Sequence, residues 1–192
     1  MKELGNLSYF LGITVATSGS TYVLSQTKYA QDVLTKAGML DCKPSDSRIS
    51  VKPGLPHKSD VPFHNPSFYR SIVGALQYLT ITRLDLSYVV NQLCQHMHNP
   101  TLGHFAGVKR LLRYLKGTLS QSLTYTPNSF ALQAYSNSNW AGDSIDRKST
   151  SGYCVFLGSN LISWLAKKQA TVSRFSIEAK YQSLAHTATE LT

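Results

Sequence analysis

Three apolar stripes with helical spacing, between residues 66 and 117, place the strongest constraint on how this chain can fold. Within each stripe the apolar side chains recur every three or four residues, which aligns them on one face of an α-helix. Asn65-Pro66 is typical of a helix start. The second predicted helix begins at about Asp85 and ends at Asn99-Pro100, and Thr101 caps the third. The stripes consist of Phe68, Ile72, Val73, Leu76 and Leu79, then Leu86, Val89, Val90, Leu93, Cys94 and Met97, then Val108, Leu111, Leu112 and Leu115.

A β-hairpin and a helix are predicted before this region. Residues 8–16 are rich in aromatic and β-branched side chains, and residues 21–25 form the return strand. Thr27 or Ser25 can cap the helix that follows, and Gly38 can end it.

The stretch 43–65 contains four prolines among polar residues. Proline at this density excludes a helix or a central strand, so we predict an exposed linker. A proline-rich ligand segment is the alternative, weakened because no PxxP repeat is sustained. The prolines are Pro44, Pro53, Pro56 and Pro62.

Three strands and a helix are predicted after residue 120. The first strand begins near Leu132 and ends at Gly142-Asp143. Strands over 153–157 and 161–165 are joined by Gly158-Ser-Asn160, a short hairpin loop. Ser176 can cap a helix. Its predicted apolar face consists of Ile177, Tyr181, Leu184 and Ala185.

The formal net charge of +9 is concentrated in the middle of the chain. Residues 61–127 carry six basic groups and one acidic group, hence +5. Such an excess favours polyanionic partners, and a solvated surface is the alternative. No apolar run approaches the roughly 20 residues of a membrane span. The N-terminus lacks a signal-peptide core, so we expect an intracellular protein with reduced cysteines.

Four cations fall on one side of the third predicted helix. On a helical wheel that starts at Val108, the apolar side chains span about 300° to 40° and the basic ones about 80° to 200°. We therefore predict a contiguous, exposed basic face that binds nucleic acid. Its members are Lys109, Arg110, Arg113 and Lys116.

Two other groups of residues have the composition of chemical sites. Cys94, His96, His98 and His104 could suggest a metal cluster, but residues two apart do not share a helix face. The serines at 149–151 and 173–176 lack the frame of a nucleophile elbow, so we assign them to turns and caps. We predict no metal site and no nucleophile.

Several ordered motifs carry a resemblance that covers nearly the whole chain. Their order resembles the Pol polyproteins of copia-type retrotransposons, with the ribonuclease H domain represented after residue 130. The motifs are Tyr69-Arg-Ser-Ile-Val-Gly-Ala-Leu-Gln-Tyr78, Thr82-Arg-Leu-Asp85, Lys109-Arg-Leu-Leu-Arg-Tyr-Leu-Lys-Gly-Thr118, Ala134-Tyr-Ser-Asn-Ser-Asn-Trp-Ala-Gly-Asp143, Ser149-Thr-Ser-Gly-Tyr153, Ile162-Ser-Trp164 and Ser176-Ile-Glu-Ala-Lys-Tyr181.

The resemblance implies an α+β fold in four segments. Residues 1–42 form the hairpin and helix that follow the polymerase palm, and residues 43–65 form the linker. Residues 66–120 form a three-helix, thumb-like or connection-like unit. Residues 121–192 form a truncated ribonuclease H-like β-sheet with one helix.

Departures from the family pattern determine the predicted chemistry. Asn137 stands where the family has its first catalytic Asp, Asn139 replaces the second Asp of that motif, and Lys180 replaces the catalytic Glu. Glu178 matches a glutamate that is not a ligand. The polymerase aspartates are expected upstream of Met1, and the next ribonuclease H aspartate beyond Thr192. Because Mg²⁺ requires anionic oxygen, we expect the ancestral Mg²⁺ site to be lost.

We therefore expect a degenerate, non-catalytic Pol fragment without a cofactor, which binds DNA or an RNA–DNA hybrid weakly and without sequence preference. The alternatives are an active ribonuclease H or reverse transcriptase accessory domain, and a protein-interaction module that uses an open sheet edge. An uncovered edge also predicts self-association. The resemblance extends to plant mitochondrial reading frames, so mitochondrial and nuclear or cytoplasmic locations both stay open.

Overall fold

The computed structural model describes residues 8–49, 60–143 and 145–192. The chain divides into two compact units, Met1–Leu123 and Thr124–Thr192. The described residues form five helices and two antiparallel sheets, which confirms the predicted α+β class.

One sheet has the order β1-β2-β3-β4. Its strands are β1 (Tyr9–Phe10), β2 (Ile13–Ser18), β3 (Thr21–Ser25) and β4 (Leu123–Tyr125). The prediction of one continuous strand over 8–16 is wrong. Leu11 and Gly12 have φ angles of 46° and 76°, and this left-handed backbone turns β1 back onto β2.

Helix α1 (Thr27–Lys36) ends as predicted, with Gly38 at φ 64°. Its N-cap is Gln26 rather than Thr27 or Ser25, and no side chain caps it. The Thr27 hydroxyl donates instead to the carbonyl of Leu119 at 3.1 Å. The hydroxyl that the sequence predicted as a helix cap is therefore used in a long-range hydrogen bond.

Helices α2 (Pro66–Leu79), α3 (Leu84–Cys94) and α4 (Leu102–Gly117) build one hydrophobic core with α1. Asn65 caps α2 as its sequence predicts, accepting from the Phe68 amide at 2.9 Å. Helix α3 ends at Cys94, about a turn earlier than the apolar stripe suggested. The core includes Val33, Leu34, Ile72, Val73, Leu76, Leu86, Val90, Leu111, Leu112 and Leu115.

The predicted linker is anchored where the structure describes it, and residues 50–59 of it lie outside the described part. Phe63 is buried and stacks on Phe105 with ring centroids 4.2 Å apart. Its amide donates to the carbonyl of Pro100 at 2.8 Å. The prediction of an exposed segment is therefore wrong at Phe63, which joins the helical core.

The second unit is a meander covered by one helix. Strands β5 (Leu132–Asn139), β6 (Thr150–Leu157) and β7 (Asn160–Lys168) pair antiparallel in sequence order, and α5 (Ser176–Glu190) follows. Gly158 turns the β6–β7 hairpin with φ 60°. A Cβ there would lie 2.5 Å from the carbonyl oxygen of Ser129, so only glycine fits this turn.

Helix α5 buries a different face from the one predicted. Ala179, Ser183 and Thr187 are buried, whereas the apolar face that includes Ile177, Tyr181 and Leu184 is exposed. On the buried face, the Ser183 hydroxyl donates to the carbonyl of Asn137 at 2.8 Å. Small side chains let the helix approach β5 closely enough for this bond. Phe175 is the N-cap residue, so the predicted Ser176 cap is also wrong.

Candidate functional site

The two positions that decide ribonuclease H chemistry lie on β5 and α5 of the second unit. The side chains of Asn137 and Lys180 are both exposed. Asn137 uses its amide oxygen locally, accepting from the Ser138 amide at 2.9 Å. Glu178, which survives from the family motif, accepts from the Arg174 amide at 2.8 Å and so closes the start of α5. These positions supply a neutral amide and a cation where metal binding needs carboxylates.

Asp143 and Asp146 form a turn that Lys168 neutralises. The Lys168 Nζ lies 2.5 Å from Asp143 and 2.8 Å from Asp146. Asp143 also accepts from the backbone amides of Ile145 and Asp146. The hydrogen bond from Lys168 lowers the pKa of Asp143 to about 2, against the opposing effect of burial. Lys168 is thus the partner of both carboxylates of this turn.

The serine-rich runs make structural hydrogen bonds around a buried amide that sequence reasoning missed. Gln169 donates to the Ser151 hydroxyl and to the carbonyl of Ala179, both at 2.9 Å. The Ser173 hydroxyl donates to Gln169 Oε1 at 3.2 Å, and Ser149 accepts from the Ala141 amide. A glutamine at the end of a strand carries no motif, so no signal in the sequence could have identified it.

The histidines form a cap and a stack. His104 Nδ1 accepts from the Thr101 amide at 3.1 Å, and the Thr101 hydroxyl accepts from the His104 amide, which makes a capping box at the start of α4. The His96 ring stacks on His104 with centroids 3.6 Å apart. In the described part of the chain, no group of three His, Cys, Asp or Glu side chains could hold a metal.

This capping box predicts a pH-dependent stability. Burial and His96 lower the pKa of His104, and Asp60 opposes them. Between the lowered pKa of the folded state and the ordinary pKa, the unfolded chain therefore binds more protons than the folded chain. The stabilisation is complete above the ordinary histidine pKa of about 6.5 and is lost as pH falls below it. His104→Gln keeps the capping box without the titration. We expect the parent to lose about 1 kcal/mol relative to this variant on acidification, measured by urea unfolding. The matched exposed control is His98→Gln, and an equal pH profile for parent and His104→Gln would contradict the assignment.

The four predicted cations lie on α4 of the first unit, but their surroundings differ from the prediction. Lys109 is exposed, with its Nζ 5.1 Å from the Phe105 ring centroid, whereas the other three cations are half-buried. Arg113 Nε donates to the carbonyl of Lys43 at 2.8 Å, and its own carbonyl accepts from the Ser45 amide. The segment 43–45 therefore crosses this face at Arg113.

No ion pair within the described residues involves these four cations. The ion pairs found there join Arg83 to Asp85, and Lys168 to Asp143 and Asp146. The positive charge of α4 is thus not offset by a neighbouring carboxylate in that part of the chain. Whether it contacts nucleic acid stays a prediction.

A buried ion pair explains one of the family motifs in structural terms. Arg83 is 5% exposed and holds both carboxylate oxygens of Asp85, at 2.9 and 2.8 Å. Arg83 also donates to the carbonyl of Thr118, and the Tyr114 hydroxyl donates to Asp85. Burial raises the pKa of Asp85, but the hydrogen bond and charge of Arg83, the hydrogen bond of Tyr114 and the charge of Arg48 together outweigh it, so the net shift is downward. The pair ties the start of α3 to the end of α4.

Comparison with known proteins identifies relatives along the whole chain. The uncharacterized mitochondrial protein AtMg00810 of Arabidopsis thaliana is 53% identical over 193 residues, covering all of this chain and 80% of the relative. The retrovirus-related Pol polyproteins from transposons RE2 and RE1 of Arabidopsis thaliana are 46% and 44% identical over 192 residues. The chain spans 13% of each polyprotein. No family model matches the chain, and no solved structure matches it significantly.

The chain therefore belongs to the family of proteins derived from copia-type retrotransposon Pol polyproteins. The resemblance in the motifs is confirmed over the full length. The chain matches most of the length of AtMg00810 and a small part of the length of the polyproteins.

Proposed function

We propose that this chain is a non-catalytic derivative of a Pol polyprotein that binds nucleic acid without sequence preference. The observation that carries the proposal is the basic face of α4, whose four cations have no carboxylate partner within the described residues. A row of cations on one helix matches the regular charge of a phosphate backbone. Phosphate contacts position a protein but do not read sequence.

The non-catalytic part of the proposal rests on Asn137 and Lys180. Two-metal hydrolysis needs several carboxylates around the scissile phosphate. The exposed Lys180 ammonium would repel a divalent cation, and Asn137 offers one neutral oxygen. An active ribonuclease H or accessory domain is therefore the less supported alternative, and we propose no metal cofactor.

The proposed partners are duplex DNA and RNA–DNA hybrids, bound in the micromolar range or more weakly at physiological salt. We propose an intracellular location, with the mitochondrion as the compartment to examine first because the relative AtMg00810 is named a mitochondrial protein. No helix in the described part of the chain has both the length and the apolar character needed to cross a bilayer.

Replacing cations of the basic face with neutral glutamine tests the binding of nucleic acid. The variant Lys109→Gln, Arg110→Gln and Lys116→Gln removes three cations and leaves Arg113 to hold the 43–45 segment. Four phosphate contacts predict that log K falls against log salt with a slope of about −4, and the variant should show about −1. Affinity for duplex DNA and for a hybrid is measured by fluorescence anisotropy across a salt series.

The matched control removes the same charge from other exposed sites. The control variant carries Lys28→Gln, Lys36→Gln and Arg174→Gln. All three of these residues are exposed and lie on or just before other helices. This control should keep the salt slope of the parent to within about one unit. Its three substitutions lower the net charge, and so affect only the non-specific attraction, while the cations of α4 remain. Equal slopes for the two triple variants would show that α4 is an ordinary solvated surface.

A further inference from the structure

The first part of the predicted linker, residues 43–49, lies against the C-terminal part of α4, and we call it the strap. The Arg113 Nε donates to the carbonyl of Lys43 at 2.8 Å. In the other direction, the Ser45 amide donates to the backbone carbonyl of Arg113 at 3.1 Å. The strap therefore bonds to both the side chain and the backbone of one residue of the basic face.

Further contacts hold the two ends of the strap to the helical unit. Near its start, Pro44 lies close to the last residue of α4, since a Cβ built on Gly117 would be 3.2 Å from the Pro44 Cβ. Near its end, the Arg48 guanidinium donates to the carbonyl of Asp85 and lies 5.7 Å from the centroid of the Tyr114 ring. None of these contacts uses the Arg113 side chain, so the strap has anchors that are independent of that side chain.

The strap occupies an edge of the Arg113 guanidinium that a phosphate could bind. The Nε and Nη2 atoms of Arg113 lie 2.8 and 3.5 Å from two successive carbonyl oxygens, those of Lys43 and Pro44. Arginine binds a phosphate in a similar way, through two parallel N–H groups that meet two oxygens. A phosphate oxygen carries charge and a carbonyl oxygen does not, so the phosphate forms the stronger bond to a guanidinium. A phosphate can therefore replace the strap at Arg113, but only when the strap is released.

We propose that the strap is an autoinhibitory element, which competes with the nucleic-acid backbone for Arg113 and must leave α4 before all four cations of the basic face can bind. The inference rests on the proposed function, because it treats Arg113 as a phosphate contact. The apparent affinity of the chain is then the affinity of the open form, reduced by the fraction of chains in which the strap is open. Closing the strap permanently should weaken binding, and opening it should strengthen binding.

A disulfide between the strap and α4 fixes the closed form. The variant Pro44→Cys with Gly117→Cys joins positions whose Cβ atoms would be 3.2 Å apart, a few tenths of an ångström below the usual disulfide spacing of about 3.5–4.5 Å. The background carries Cys42→Ser, which removes the native thiol nearest to the strap in sequence, and the half-buried Cys94 and Cys154 stay. Thiols and disulfides are both neutral near pH 7, so the oxidised and reduced forms have the same net charge and are matched controls for each other.

The test is the affinity of both forms for duplex DNA, measured by fluorescence anisotropy across a salt series. The reduced form should show the parent slope of about −4, and the oxidised form about −3, because one phosphate contact is lost. At low salt the oxidised form should bind roughly tenfold more weakly, as expected when a hydrogen bond to a charged group is missing. The unmodified chain, measured with and without the reductant, should show no difference. Thiol counting confirms the disulfide, and far-ultraviolet circular dichroism checks that each form is folded.

The variant Gly117→Val tests the opposite direction without a change of charge. Its side chain would collide with Pro44, so the strap should open and the Kd for duplex DNA should fall several-fold. The matched control is Gly74→Val, at an exposed position of α2 where an added Cβ meets nothing within 4 Å. This control should bind duplex DNA as the parent does.

The outcomes separate the strap from the proposed function. The strap is overturned alone if the folded cysteine pair forms no disulfide, if the oxidised and reduced forms have equal salt slopes, or if Gly117→Val binds no more tightly than Gly74→Val. In each of these cases the proposed function still stands when the parent binds and the variant without Lys109, Arg110 and Lys116 has a lower slope. Absence of binding by every form at low salt would overturn the proposed function and the strap with it.

Discussion

Replacing Asp85 with alanine should destabilise the helical unit by about 3–5 kcal/mol, because it leaves a buried guanidinium without its counterion. Arg83 is 5% exposed and would keep only its bonds to Thr118. The Tyr114 hydroxyl would lose its acceptor as well. We expect the urea midpoint of the circular dichroism transition to fall, since four of the five helices in the described residues lie in the first unit.

Two comparisons isolate this effect. Both tryptophans, Trp140 and Trp164, lie in the second unit, so tryptophan fluorescence should report little change on Asp85→Ala. The double variant Arg83→Met with Asp85→Leu removes both charges and should be more stable than the single variant. A loss below about 0.5 kcal/mol in Asp85→Ala would mean that the pair does not hold α3 to α4.

The second large effect is the absence of catalysis. Enzymes accelerate their reactions by 10⁶-fold or more, so even a weak metal-dependent nuclease is readily distinguished from background. We expect no Mg²⁺-dependent cleavage of an RNA–DNA hybrid, because Asn137 and Lys180 replace two of the carboxylates that the chemistry needs. The variant Asn137→Ala with Lys180→Ala serves as the contaminant control, since any activity that it retains cannot come from these positions.

Local sequence signals predicted the helical unit well. The apolar spacing gave α2 and α4, Asn65 and Thr101 cap as their residue types suggest, and Gly38 follows α1 in a left-handed conformation. These features depend on side-chain spacing and on backbone preferences within a few residues. Such preferences act before any long-range contact forms.

The failures share one cause, which is that distant partners decided the outcome. Helix α5 packs its small residues against the sheet, where Ser183 bonds to the backbone of β5, and its larger apolar side chains are exposed. Phe63, in the predicted linker, stacks on Phe105. The Arg113 side chain, on the predicted basic face, donates to the carbonyl of Lys43. No pattern within a short window of sequence carries information about such contacts.

The candidate site was predicted to a similar extent. The identities of Asn137 and Lys180 could be interpreted from the family motif, and the structure adds that both are exposed. The structural roles of Gln169 and Lys168 could not be predicted, because each depends on partners brought together by the β6–β7 hairpin and the turn before it.

Binding and cleavage of one labelled RNA–DNA hybrid by the purified chain, followed together with Mg²⁺ present, test the account most directly. We predict salt-dependent binding that weakens about 100-fold between about 50 and 200 mM salt, as expected for four phosphate contacts, with the hybrid left uncut. Mg²⁺-dependent cleavage that disappears in the Asn137→Ala and Lys180→Ala variant would contradict the account, and so would the absence of binding at low salt.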